Sequence, residues 1–259
     1  MTPVLPSWLR PNFVPRGGDP FLLFAAFGPL NLSVPIDKTT YRAAGVPKGF
    51  ELLLFDKDKH PGTYKTLRES PAWALAAAES PELADIAAES PQFAMLRGVA
   101  TDPVNLDYLR DAVGIVEYLT TRGAKTVFDP QTYQFWQPND WHDRLFAPAK
   151  PVPHEHVIIL ETPDDTDDTT WIHTRGLRKF GRPDLSVHGV GDKFRDRITD
   201  LFNHYVDYLA RGGVIREGDV ITLVGLPGGS RVRIDSRLDH PEFLNAHAEI
   251  IWPSNALTK

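Results

Sequence analysis

The most restrictive feature of the chain is one apolar stripe in its C-terminal half. Phe194, Ile198, Leu201, Phe202, Tyr205, Val206 and Leu209 recur at spacings of three and four, the period that gathers side chains on one face of a helix. The pattern predicts a helix over residues 192–211, stopped by Gly212-Gly213. Burying the seven contributes roughly 10–20 kcal/mol before conformational entropy is subtracted, which makes this helix the main organiser of the C-terminal core.

Sheets to receive that stripe are read from short runs of β-forming residues. His154–Glu161 centres on Val157, Ile158, Ile159 and Leu160. A strand apolar on both faces is expected at the middle of a sheet. Further strands are expected at 170–174, 184–188, 219–224, 230–234 and 247–251, with Pro227-Gly228-Gly229 as a turn.

The N-terminal half opens with Pro3, Pro6, Pro11, Pro15 and Pro20. Proline removes a backbone donor and fixes φ, so an extended arm over the surface is expected. Phe21–Phe27 and Phe50–Phe55 read as strands, with a short edge strand at Leu30–Pro35. Glu-Ser-Pro occurs at 69–71, 79–81 and 89–91. Serine caps a helix and proline suits its first position, so short helices are expected over 71–79 and 81–89. A strand follows at Phe93–Ala100, then a helix opened by Asp102-Pro103. Its apolar face is Leu106, Leu109, Val113, Val116 and Leu119; Gly123 ends it, and Lys125–Phe128 completes a β-α-β unit. Residues 137–153 carry four prolines and read as a linker.

The expected fold is therefore α+β. Two layered halves, 1–150 and 151–259, have mixed or antiparallel sheets covered by amphipathic helices.

Composition narrows the function. The 259 residues are 42% hydrophobic and 24% charged, typical of a folded globular chain. A net charge of −6 opposes binding to phosphate backbones, so no nucleic-acid partner is expected. The absence of cysteine excludes disulfides, thiolate zinc ligands and thiol catalysis. The N-terminus lacks a basic segment followed by an apolar run, and the longest apolar stretches are too short to span a bilayer. A cytoplasmic protein without a membrane partner is expected.

Residues 171–185 pass from a strand into Thr174-Arg175-Gly176-Leu177 and then Phe180-Gly181-Arg182-Pro183-Asp184-Leu185, followed by a long helix and Gly218-Asp219. This pattern resembles the C-terminal half of an uncharacterised bacterial family, a domain of unknown function. The likeness extends to the β-α-β unit at 93–135 and implies an α+β fold of bacterial origin. It implies no activity, ligand or catalytic residue.

Two groups of side chains suggest chemistry. His154 and His156 alternate on the expected strand and would face the same way, with His173 and His188 on neighbouring strands. With an acid from Glu161, Asp164, Asp165, Asp167 or Asp168, they would form a zinc-like divalent site able to activate water. Arg175, Arg178, Lys179 and Arg182 form a basic cluster suited to a phosphate or carboxylate. Tyr133, Phe135, Trp136, Trp141 and Trp171 are candidates to wall a cleft between the halves. No P-loop lysine, EF-hand glycine and glutamate, or Gly-x-Ser-x-Gly elbow is present. The first expectation is a binding module for a protein or a small anionic ligand. The alternative is a metal-dependent hydrolase.

Overall fold

A computed structural model describes residues 5–164, 168–222, 229–240 and 242–253. The fold is α+β, with a five-stranded and a six-stranded sheet among the described residues. The chain divides into two compact units. The first comprises residues 1–9 and 21–152, the second residues 10–20 and 153–259.

In the first unit, β1 (Phe21–Phe27) is flanked by β3 (Gln92–Val99) and β4 (Thr126–Asp129), both antiparallel to it. The two flanking strands are therefore parallel to each other, joined by α4 (Asp107–Thr121). The expected β-α-β unit is split by β1. Strands β2 (Phe50–Asp56) and β5 (Gln134–Trp136) form the edges. One face carries α1 (Pro61–Arg68), α2 (Pro71–Glu79) and α3 (Pro81–Glu89). Trp73 of α2 meets Phe27, Phe128 and Phe135 edge-on at 5.7, 5.3 and 5.0 Å, the geometry aromatic quadrupoles favour. The repeated Glu-Ser-Pro boundaries of α2 and α3 fall as expected. Helix α1 went unforeseen, although Pro61 at its first position and the buried Tyr64 are its signals.

Five local expectations are corrected. Leu30–Pro35 is a loop: its Leu30, Asn31 and Ser33 amides donate to the Gln92 side chain, the Arg122 carbonyl and the Asn31 side chain, so these donors are spent outside any ladder. Helix α4 starts at Asp107, not Asp102-Pro103, because residues 105 and 106 are occupied by the arm. Leu9 bridges Asn105, and the Leu106 amide donates to the Trp8 carbonyl at 2.7 Å. The arm lies mostly exposed, as expected, but is not purely superficial, since Trp8 and Arg10 are buried. Residues 137–153 are not a plain linker. They hold α5 (Pro138–Asp140) and a π-helical turn, Trp141–Phe146, whose Trp141 is fully buried and meets Phe24 edge-on. Finally, His154 lies in a 3-10 turn, Pro153–Glu155, and His156 follows it.

Strand β6 is Ile158–Pro163, and it lies at the edge of the second sheet rather than its centre. With one neighbour, Ile158, Ile159 and Leu160 are only half-buried. The order continues through β7 (Thr170–Arg175), β8 (Asp184–Val190), β11 (His247–Ile251), β10 (Ser230–Asp235) and β9 (Val220–Ile221). The β8–β11 pair is parallel and the others antiparallel, so the sheet is mixed. Residues 223–224 and 227–228 of the expected strand and turn lie outside the described residues. Helix α6 (Arg195–Ala210) buries Ile198, Leu201, Phe202, Val206 and Leu209, with Phe194 and Tyr205 half-buried. The predicted stripe is its packed face.

The 171–185 pattern is structural punctuation. Gly176 (φ 114°) and Gly181 (φ 63°) flank the 3-10 turn Leu177–Phe180. At Gly181 a Cβ would come within 2.3 Å of the Gly18 carbonyl oxygen, so the arm's approach requires glycine there.

Candidate functional site

Alternation along β7 and β8 turns Ile172, Leu185 and Val187 to a fully buried face. The opposite face receives Trp171, His173, Ser186 and His188, together with His247 of β11, whose partner is Asp184. Phe243, from the turn before β11, covers them. Its ring stacks on His247 at 4.3 Å and meets His173 and Trp171 edge-on at 5.5 and 5.9 Å. Trp171 lies between His173 at 3.9 Å and His188 at 5.0 Å, both stacked. His240 completes the group, 5.1 Å from both Phe243 and His247.

His173 is the unusual member. It is 1% exposed, and neither ring nitrogen has a hydrogen-bond partner among the described residues. A buried imidazole in that state forfeits its hydration without replacement. Burial first, then the positive field of Arg175 and the neighbouring His188 and His240, push its pKa down to about 4. Burial likewise lowers His247, partly offset by Asp235. Asp184 is pushed up to about 6 by burial, against hydrogen bonds from Asn245, the Leu177 amide and Thr174.

The structure brings together only half of the expected histidines. His188 and His173 share the face just described, with the His188 Nδ1 at 3.1 Å from Asp164. His154 instead approaches Asp207 of α6 at 3.5 Å. His156 is buried beside the Phe180 ring, and burial next to Lys179 drives its pKa well below the ordinary value. Among the described residues no three histidine or acidic side chains are grouped to hold a metal ion. Of the acidic loop, Asp164 accepts from the Gly189 amide at 2.6 Å, Glu161 faces Arg195 at 3.7 Å, and Asp165 and Asp167 lie outside the described residues.

The basic cluster is likewise dispersed. The Arg182 guanidinium donates to the carbonyls of Gly213, Gly181 and Gly212 at 2.7, 2.8 and 3.0 Å. Lys179 donates to the His156 carbonyl at 3.1 Å, and Arg178 to Leu244 at 2.5 Å. These are the donors' structural uses, closing turns whose carbonyls lack ladder partners. Of the four, Arg175 acts on both His173 and Asp184, and Arg178, bonded to the Leu244 carbonyl next to Phe243, also interacts with the Asp184 charge.

No family model, curated protein or solved structure matches the chain. The site therefore rests on its own geometry. Of the expected aromatic wall, Phe135, Trp136 and Trp141 belong to the first unit's packing, and Trp171 to the imidazole face. His240, Phe243 and His247 were not foreseen. They lie some seventy residues after His173 along the chain, and only the β8–β11 pairing brings them back. No described helix is long and apolar enough to cross a membrane.

Proposed function

We propose that the protein is a noncatalytic binding module whose second unit takes a small planar anion on the Trp171–His173–Phe243 face. The observation that carries this reading is His173, buried with two unsatisfied nitrogens beside the Arg175 charge. A ligand oxygen accepting from one ring nitrogen supplies what the folded chain withholds, and aromatic faces suit a flat ligand. Arg175 favours negative charge, and the half-exposed rim of Trp171 and His188 gives the approach. Of the basic cluster, this reading draws on Arg175, whose charge acts on His173.

The test is titration with benzenesulfonate, followed through the histidine ring resonances. Saturable movement of the His173 and His247 signals is expected, with binding weakened about tenfold in His173→Phe, the cost of one lost charge-assisted hydrogen bond. Signals that stay fixed, or an unchanged affinity in His173→Phe, would remove the reading.

A further inference from the structure

Helix α4 is buried along its whole middle, from Tyr108 to Leu119. Such a helix is expected to be apolar, yet it carries Arg110, Asp111 and Glu117. The first two answer each other at 2.7 Å, and the chain closes around them through the Pro6 carbonyl and the Ala44 amide. Glu117 is answered differently. Its Oε1 is 2.8 Å from Nδ1 of His142, while its Oε2 is buried with no hydrogen-bond partner among the described residues.

Against an ionised Glu117 carboxylate, which only accepts, a neutral His142 carries its hydrogen on Nδ1 and keeps Nε2 as an acceptor. The His142 side chain is 48% exposed, against 8% for Glu117. The histidine thus presents an oriented acceptor nitrogen from a fixed base. Its scaffold is the π-helical turn Trp141–Phe146, a rare geometry found often at functional sites.

Arg42 stands at the same place. Its guanidinium lies 4.2 Å over the Phe146 ring, and the His142 ring is 5.6 Å from that ring. The Glu117 charge acts on Arg42 as well. One guanidinium hydrogen is committed to the Pro148 carbonyl at 3.0 Å. The residue holds φ at 49°, a left-handed conformation that an arginine adopts only against steric strain. A strained arginine, a π-helical turn and a carboxylate-oriented histidine converge on one ring.

We propose that His142, Glu117 and Arg42 form a site in the first unit for a phosphate that carries one proton. Hydrogen phosphate fits both halves of the arrangement. Its hydroxyl donates to Nε2 of His142, and its anionic oxygens pair with the remaining fork of Arg42. Sulfate and carboxylates offer oxygens only, and set a lone pair against the Nε2 lone pair. The site therefore distinguishes hydrogen phosphate from sulfate, two anions of the same charge and nearly the same size. Glu117 positions His142 and does not touch the ligand.

The experiment titrates the intact chain with inorganic phosphate and with sulfate at about pH 7.5, reading the His142 ring resonances and the heat of binding. Phosphate is expected to move His142 saturably with a millimolar dissociation constant, and sulfate to bind at least about tenfold more weakly. Arg42→Gln and His142→Phe should each weaken phosphate about tenfold, and Glu117→Gln severalfold by releasing the histidine's orientation. His204→Gln, on α6, should change nothing. Equal response to both anions, or His142 signals unmoved by about 20 mM phosphate in the unmodified protein, would overturn the proposal. The unmodified chain decides between these outcomes even where a variant folds poorly.

Discussion

Acidification should strip stability from the second unit through one residue, His173. Its pKa falls from the ordinary 6.5 to about 4 on folding. Between those values the unfolded chain holds a proton that the folded chain refuses, so stability rises with pH there. The contribution is complete above 6.5 and is lost as pH falls toward 4. A displacement of that size corresponds to about 3 kcal/mol between pH 7.5 and 4. Asp184 works in the opposite direction, because its pKa rises from 3.8 to about 6. It binds a proton more readily when folded, so its effect grows more favourable as pH drops and masks part of the loss. The clean measurement is therefore a difference between two proteins. His173→Phe keeps a ring for Trp171 and Phe243 to pack against and removes the titrating group. Urea unfolding of both proteins should show the variant gaining about 3 kcal/mol relative to the parent from pH 7.5 to pH 4. Parallel stability curves over that range would mean that the His173 nitrogens are satisfied in solution, and the coupling between its burial and stability would be disproved.

Two further outcomes follow from the first helices and the arm. Ser70 accepts from the Trp73 amide at 3.2 Å, whereas Ser80 makes no side-chain cap bond, so Ser70→Ala should cost about 1 kcal/mol in chemical denaturation and Ser80→Ala far less. Arg182 is 2% exposed and satisfies three glycine carbonyls; Arg182→Met should cost about 3 kcal/mol and open residues 10–20 to limited proteolysis.

The parts of the fold legible in the sequence were those governed by neighbours along the chain. Ser-Pro punctuation placed α2 and α3, and the three-four spacing of Ile198, Leu201, Phe202 and Leu209 placed α6. The parts that were not legible depend on partners far away in sequence. Asp102-Pro103 has good helix-opening chemistry, but Trp8 and Leu9 take up the backbone just after it. Val157–Leu160 is apolar enough for a central strand, yet sheet order is set by which strands find β7 and β8. The histidine pattern failed for the same reason. His154 and His156 look paired only if extended, whereas a 3-10 turn at Pro153–Glu155 separates their directions. His240 and His247 join His173 through a parallel pairing that no local spacing announces. Glu117 and His142 are no more visible as a pair, since a π-helical turn does not follow the ordinary helical period.

The partition of the N-terminal arm bears on how the chain is made and how it can be cut. Residues 10–20 belong to the unit whose remaining members begin at 153, and the Asn12 and Val14 amides bond to the carbonyls of Arg211 and Gly212. During synthesis, then, residues 10–20 wait for nearly two hundred later residues before their hydrogen-bonding partners exist. No single break in the gene separates the two units intact. A fragment beginning at residue 153 would lack the strap that Arg182 helps to anchor, and supplying residues 10–20 as a separate peptide is the natural way to restore it.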